Sequence, residues 1–322
     1  MSRLLSLLNT PPPTIGVEIG STHVTVVRFV PGGQPATVAA AAIEALPAGA
    51  VVPALNESNI RDHPAVVAAL RQALERIGLW RRRAVLVVPD TVAKVSLLRF
   101  EKVPARRTDL AELIRWQTRK TVPFRVEDAE LTFAPGSDVP DGGRELVVML
   151  ARRDLIAEYE TVCHDAGLQV GVVDIATLNL INAVVAAGAP AGDWLLVNAA
   201  GDYLSLAVLR ESQLLFYRHR GGDGEGSLAD VVHQTAMYYE DRLKGSGFSR
   251  VVLSSGGQGS RPAGQVGDAE EVRRQLEQRL RVRVDAIDPR PGVVLADRIS
   301  ASADFLEALA PAVGLVLRER MA

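Results

Sequence analysis

Thr14-Ile15-Gly16-Val17-Glu18-Ile19-Gly20-Ser21-Thr22-His23-Val24-Thr25-Val26-Val27-Arg28-Phe29 carries, on its own pattern, the signature of a β-hairpin. Apolar residues alternate from Ile15 to Ile19 and again from Val24 to Phe29, the period of two expected of strands. Gly20-Ser21-Thr22 between them reads as a tight turn. Such a tip offers converging backbone N–H groups, a glycine that permits close approach, and hydroxyl donors, all of which suit an anion. Glu18, two residues before the turn, has the charge to reach a magnesium ion or its water shell. Many hairpins with Gly-Ser tips hold nothing, so the tip gains meaning only from the rest of the chain.

Near the midpoint the pattern starts again. Trp194 to Asn198 reads as a strand, Ala199-Ala200-Gly201-Asp202 as a turn, Tyr203 to Leu209 as the returning strand and Gln213 to His219 as a third. The opening hairpin has the same sequel in Ala36 to Ala45. Repetition of one supersecondary unit in a chain of 322 residues points to two related domains. Between and after these units, strands are expected at 84–88, 95–100, 130–134, 145–151, 170–174, 250–253 and 282–287. Helices are expected at 64–77, 109–121, 153–166, 177–187, 228–243, 269–280 and 301–318, the last interrupted at Pro311.

Composition narrows the function. Thirty-six basic residues against 38 acidic ones leave a net charge of −2, which argues against general nucleic-acid binding. A single cysteine, Cys163, allows no internal disulfide. No apolar run reaches the ~18 residues of a membrane helix. Met1 to Asn9 is Leu-rich, and reads either as a frayed end before Pro11-Pro12-Pro13 or as a small interfacial anchor. Arg81-Arg82-Arg83 reads as a solvated strand entry or, less often, as a contact for a phosphate or an acidic partner. No Ser-His-Asp, Cys-His or zinc spacing is present, so no catalytic or metal residues are assigned.

A more specific pattern lies between the halves. Arg115-Trp116-Gln117-Thr118-Arg119-Lys120-Thr121-Val122-Pro123-Phe124-Arg125-Val126-Glu127-Asp128 resembles the E-x-x-K-x-x-P-F-x-x-E-D run of the PilM family of type IV pilus assembly proteins. So do Val173-Asp174, Tyr217-Arg218 before Gly221-Gly222, and Ala312-Val313-Gly314-Leu315-Val316-Leu317-Arg318, giving a resemblance from about Ile15 to Arg318. The resemblance implies an α/β fold of two actin-like (ribonuclease H-like) domains with mixed sheets. The division would be an N-terminal tail 1–13, a first domain 14–191 and a second domain 192–322. An inserted subdomain of the type found in FtsA is expected at about 95–170. The outer subdomain of the second domain looks trimmed, because Gly221-Gly222 is followed almost at once by the helix at 228–243.

The resemblance also implies a cytoplasmic scaffold at the inner face of the inner membrane. Its partner would be the cytoplasmic tail of a PilN-type inner-membrane protein, with pilus motor components as further contacts and only an indirect link to the membrane. ATP with magnesium is the implied ligand, at Glu18, Gly20, Ser21, Thr22, Gly201, Asp202, Gly256 and Gly257. The tail would meet the insert at Ile114, Trp116, Pro123 and Phe124, although Ile114 and Phe124 fit equally well as packing inside the insert. Arg115, Arg119 and Arg125 read as a solvated face. Three departures weaken the nucleotide site: Glu18 replaces an Asp, Thr25 replaces a Lys, and Asn198-Ala199-Ala200 replaces Asp-Ile-Gly. They favour a pseudo-ATPase over an enzyme. The alternatives are an ATP-binding switch of the same fold and an actin-like component of type II secretion.

Overall fold

The computed structural model describes residues 12–79, 82–138, 143–222, 227–255, 269–297, 299 and 302–321. Met1 to Asn9, Arg81, Gly256 and Gly257 therefore lie outside the described residues. The opening hairpin forms as its alternation requires: β1 (Ile15–Ile19) and β2 (His23–Phe29) pair antiparallel with Glu18 opposite Thr25. β3 (Thr37–Ala45) extends the meander. α1 (His63–Arg76) starts where the Asp62 side chain accepts the Ala65 N–H at 3.1 Å, and it stops before Gly78, whose φ of +68° suits a residue without Cβ.

β4 (Arg82–Val88) lies parallel to β1, and β8 (Leu168–Ile175) parallel to β4. The second half repeats this wiring. β9 (Asp193–Ala199), β10 (Tyr203–Arg210) and β11 (Gln213–Gly221) form the meander. After α5 (Leu228–Leu243), β12 (Arg250–Ser254) joins β9 in parallel; after α6 (Ala269–Leu280), β13 (Val284–Ala286) joins β12. The core orders β3-β2-β1-β4-β8 and β11-β10-β9-β12-β13 are the same path drawn twice, as expected of actin-like domains.

The end of the chain crosses back. β14 (Val294–Leu295) adds to β3, and α7 (Ala303–Met321) lies on the first sheet, with Leu309, Val313 and Val316 packed against Val27, Val85 and Val87. The segment expected at 192–322 as one domain thus contributes its last strand and helix to the first sheet. α4 (Ala176–Ala186) makes the opposite crossing: Leu180, Ile181 and Val184 pack with Trp194, Leu196 and Leu209 of the second sheet. α4 and α7 meet at Gly314, where a Cβ would stand 1.9 Å from the Asn179 carbonyl oxygen. α7 also runs straight through Pro311 instead of breaking there. Burial of the helix on both sides compensates for the hydrogen bond that proline removes.

A third sheet of β5 (Ala93–Phe100), β7 (Arg144–Arg152) and β6 (Ala129–Asp138), in that order, sits between β4 and β8 in the chain. Period-two alternation in β7 splits its two faces. Leu146, Val148 and Leu150 pack under α2 (Arg107–Thr118), while Val147 and Met149 turn to the two domains. This sheet spans Ala93–Arg152. α3 (Arg153–Asp165), which falls within the expected 95–170, instead gives Leu155, Tyr159 and Val162 to the core of the first domain. α2 ends three residues short of the expected 121. The Thr118 hydroxyl bonds back to the Ile114 carbonyl at 2.8 Å and the Thr121 N–H turns onto the Thr118 carbonyl at 2.8 Å.

Candidate functional site

The two hairpin tips face one cleft between the domains. Glu18, Gly20, Ser21 and Thr22 line it from the first half, Asn198, Gly201 and Asp202 from the second. Ser254 at the end of β12 and Glu307 of α7 close its third side. Six of the eight residues expected around a nucleotide are therefore brought together. Gly256 and Gly257 lie outside the described residues, just beyond Ser254 and Ser255.

Electrostatically the cleft is poor in positive charge. Among the described lining residues there is no lysine or arginine. Glu18 Oε2 is buried without a hydrogen-bond partner. Burial, helped by the nearby Asp90, pushes the Glu18 carboxyl up to about 8, so at neutral pH it is largely a neutral acid. Burial also lowers His23 to about 4, which leaves its imidazole uncharged. Asp202 is raised by burial, and its Oδ2 too has no partner. Thr25, where the resemblance implies a lysine, is buried opposite Glu18, its hydroxyl unpartnered.

The floor of the cleft is a chain of hydrogen bonds. Asp90, just beyond β4, accepts the Thr177 N–H at 2.9 Å and the Thr177 hydroxyl. Thr177 Oγ1 in turn accepts from Asn198 Nδ2 at 2.9 Å, and the same amide reaches the Tyr203 hydroxyl at 3.3 Å. Alongside, Tyr217 OH donates to Ser205 Oγ at 3.3 Å, and Ser205 Oγ meets His219 Nδ1 at 3.0 Å. On the third side Glu307 accepts the Ser255 N–H, with the Ser254 and Ser255 hydroxyls each at 3.3 Å. The centres of water-sized groups find about 40 Å³ of room in the cleft. A water needs ~10–15 Å³ on this measure, so the cleft as it stands holds a few waters.

Asp90, Thr177, Ser205, His219 and Glu307 were not singled out from the sequence. Asp90 had one usable signal: Val88-Pro89-Asp90 ends a parallel strand at its carboxyl edge, where α/β sheets place their sites. Glu307 had none, since only the fold brings α7 to β12. No group of three or more His, Cys, Asp or Glu among the described residues is arranged to hold a metal.

The insert offers the second candidate surface. Trp116 on α2 is 76% exposed, and Pro123 is exposed nearby in sequence. Ile114 is fully enclosed in the core between α2 and its sheet, and Phe124 packs half-buried on the same core. Ile114 therefore holds the insert together and presents nothing to a tail. Arg115 is not a solvated side chain either: its guanidinium donates to the Val126 carbonyl at 2.5 Å and the Ala129 carbonyl at 3.3 Å, pinning the loop after α2. Arg125 does face solvent beside Glu127 and Asp128, at 3.9 and 4.0 Å. Among the described residues no helix is long and apolar enough to cross a membrane.

A family profile described as type IV pilus assembly protein PilM matches residues 16–245. A solved structure described as a PilM–PilN type IV pilus biogenesis complex is similar over 97% of this chain and 99% of that one, with a TM-score of 0.78 and 19% identity, a likeness of fold. Weaker matches are the cytoplasmic domain of EpsL, an inner-membrane component of the type II secretion system of Vibrio cholerae, and the ethanolamine utilization protein EutJ of Carboxydothermus hydrogenoformans. The first has a TM-score of 0.48 at 10% identity over 95% of this chain and 94% of that one; the second 0.47 at 12% over 96% and 90%. No curated protein matches the sequence.

Proposed function

The chain belongs to the PilM family of type IV pilus assembly proteins, and on that premise we propose that it is a scaffold of the pilus assembly complex. It works on the cytoplasmic side of the inner membrane and holds the cytoplasmic tail of a PilN-type membrane protein. The single observation that carries the scaffold reading is the state of the cleft. Asn198, Thr177, Ser254, Ser255 and Glu307 are spent on one another across the two halves, with no cationic side chain among the described lining residues to meet a triphosphate. ATP fits poorly there, because the Asn198 amide is already donated to Thr177 and Tyr203. Glu18, Asp202 and Asn198 then form a degenerate nucleotide site, and the protein is a pseudo-ATPase. Its function rests on surfaces. Trp116 is an amphipathic aromatic held on a rigid helix, the type of group that anchors partners. An apolar tail segment has Trp116 and Pro123 to dock on, next to a loop that Arg115 holds in place.

One observation favours the switch reading. Glu18 Oε2 and Asp202 Oδ2 are buried carboxyl oxygens without partners, which the water shell of a magnesium ion would satisfy. Calorimetry with ATP and magnesium separates the two. The expected result is no heat of binding; micromolar binding that is lost in Glu18→Ala would give the site to the switch. In parallel, a PilN-type tail peptide should bind the wild type, and Trp116→Ala should weaken it about tenfold, near 1.4 kcal/mol. The same change should move stability by less than about 0.5 kcal/mol, because an exposed side chain leaves no cavity. Equal binding by wild type and variant would remove Trp116 from the interface.

A further inference from the structure

Two sets of contacts span the cleft, and in each a carboxyl of the chain takes the donors that an anionic ligand would take. At the floor, donors run one way, from the Asn198 amide to the Thr177 hydroxyl to the Asp90 carboxyl. On the third side the geometry is most telling. α7 is packed on the first sheet, yet Glu307 leaves it to reach the end of β12 in the second. There one buried carboxyl gathers a backbone N–H and two hydroxyls from two successive residues, Ser254 and Ser255. A backbone N–H with flanking hydroxyls at the carboxyl end of a parallel strand is an anion-accepting arrangement, and here the anion comes from the chain itself.

We propose that Glu307 is a built-in ligand of the cleft: an internal latch that ties the first domain to the second at the end of β12 and keeps the cleft closed with nothing bound. The inference rests on the reading of the cleft as one that holds no nucleotide, and deepens it by naming what stands in the ligand's place. The latch has a consequence for the insert. β11 of the second sheet, which carries Tyr217, lies against β5 and β6 of the insert sheet. A cleft fixed shut fixes β11 against the insert, so the partner surface is held in one arrangement at all times.

The test is amide hydrogen exchange on the full chain, wild type against Glu307→Ala. Loss of a hydrogen bond to a carboxyl of this kind should speed exchange about tenfold or more around Ser254–Ser255 and in the second hairpin, Asn198 to Ser205. The insert core around Leu146–Leu150 should keep its protection. Unchanged exchange in the cleft segments would overturn the latch, and so would a uniform rise over the whole chain, which marks Glu307 as a packing residue of α7. Should the alanine variant fail to fold, Glu307→Gln is read on the same segments, with a smaller local rise expected and no rise counting against the latch. ATP binding by the wild type would sink the scaffold reading; a wild type that binds no ATP but whose Glu307 variants stay closed would sink the latch alone.

Discussion

Glu18 and Asn198 occupy the same place in the two halves. Each lies on the central strand beside the hairpin, opposite a small hydroxyl residue of the returning strand, Thr25 for Glu18 and Ser205 for Asn198. Each is in parallel register with the next strand, at Val87 and Ser254. Their fates differ. In the first half the carboxyl of Glu18 and the hydroxyl of Thr25 each have a buried oxygen with no partner. In the second half Asn198 is bonded to Thr177 and Tyr203, and Ser205 to His219 and Tyr217. The two halves share the position and not the chemistry. A buried polar atom without a partner costs about 1–3 kcal/mol, and it can be satisfied by a proton, a cation or a water; a satisfied one cannot take a ligand without giving up what it has. At this position the first half leaves polar atoms unpartnered, and the second spends them on hydrogen bonds, one of which crosses to Thr177.

The most disruptive change strikes the joint where the halves cross. Gly314→Val places side-chain atoms where the Asn179 carbonyl oxygen already stands within 1.9 Å of an ideal Cβ. α4 and α7 must separate, and urea unfolding should show a loss of about 3 kcal/mol. A loss below about 1 kcal/mol would mean that the crossing is loose and that the halves are compared as independent bodies.

Next, Asn198→Asp makes the second half more like the first. It removes the donor to Thr177 and adds a buried carboxyl to the network anchored on Asp90. The expected cost is about 1–3 kcal/mol at pH 8, shrinking toward pH 5 as the new carboxyl takes up a proton. Thermal melts at the two pH values read it directly. A pH-independent cost would show that the new carboxyl is solvated and the floor of the cleft open.

Glu18→Gln makes the smallest change and tests the first half alone. The Glu18 carboxyl titrates near 4.5 in the unfolded chain and is raised to about 8 in the folded one. The folded state thus binds the proton more tightly, and the stability this contributes is complete below 4.5 and is lost as pH rises toward 8. The glutamine variant, which has no proton to lose, should match the wild type near pH 5 and exceed it by about 3 kcal/mol at pH 8. Parallel melting curves for the two proteins across that window would mean that Glu18 stays ionised, held by water or a cation.

Local pattern made the elements legible. Alternation in Ile15–Ile19 and Trp194–Asn198, the Gly-Ser and Gly-Asp tips, Asp62 with Gly78 around α1, and the PilM-like run at Arg115–Asp128 each depend on residues within one or two turns of one another. These were enough for two actin-like halves and an insert in the first. Pro311 shows where local pattern misleads: the helix-breaking tendency is real, but it is outweighed once both flanks of α7 are buried.

What only the tertiary structure decided is which polar groups find each other. Asp90, Thr177 and Asn198 are far apart in the chain, as are Ser255 and Glu307, and no periodicity links them. The crossing of α4 and α7 sets those meetings, and the crossing depends on a glycine whose need is visible only when the Asn179 carbonyl is seen beside it. Likewise the sequence placed Ile114 and Trp116 on one helix, while packing against β7 decided that the first is core and the second surface. The sequence determines where strands and turns form because those energies are local. Whether a buried carboxyl is free to bind or already bound depends on long-range contacts, and those exist only in the folded chain.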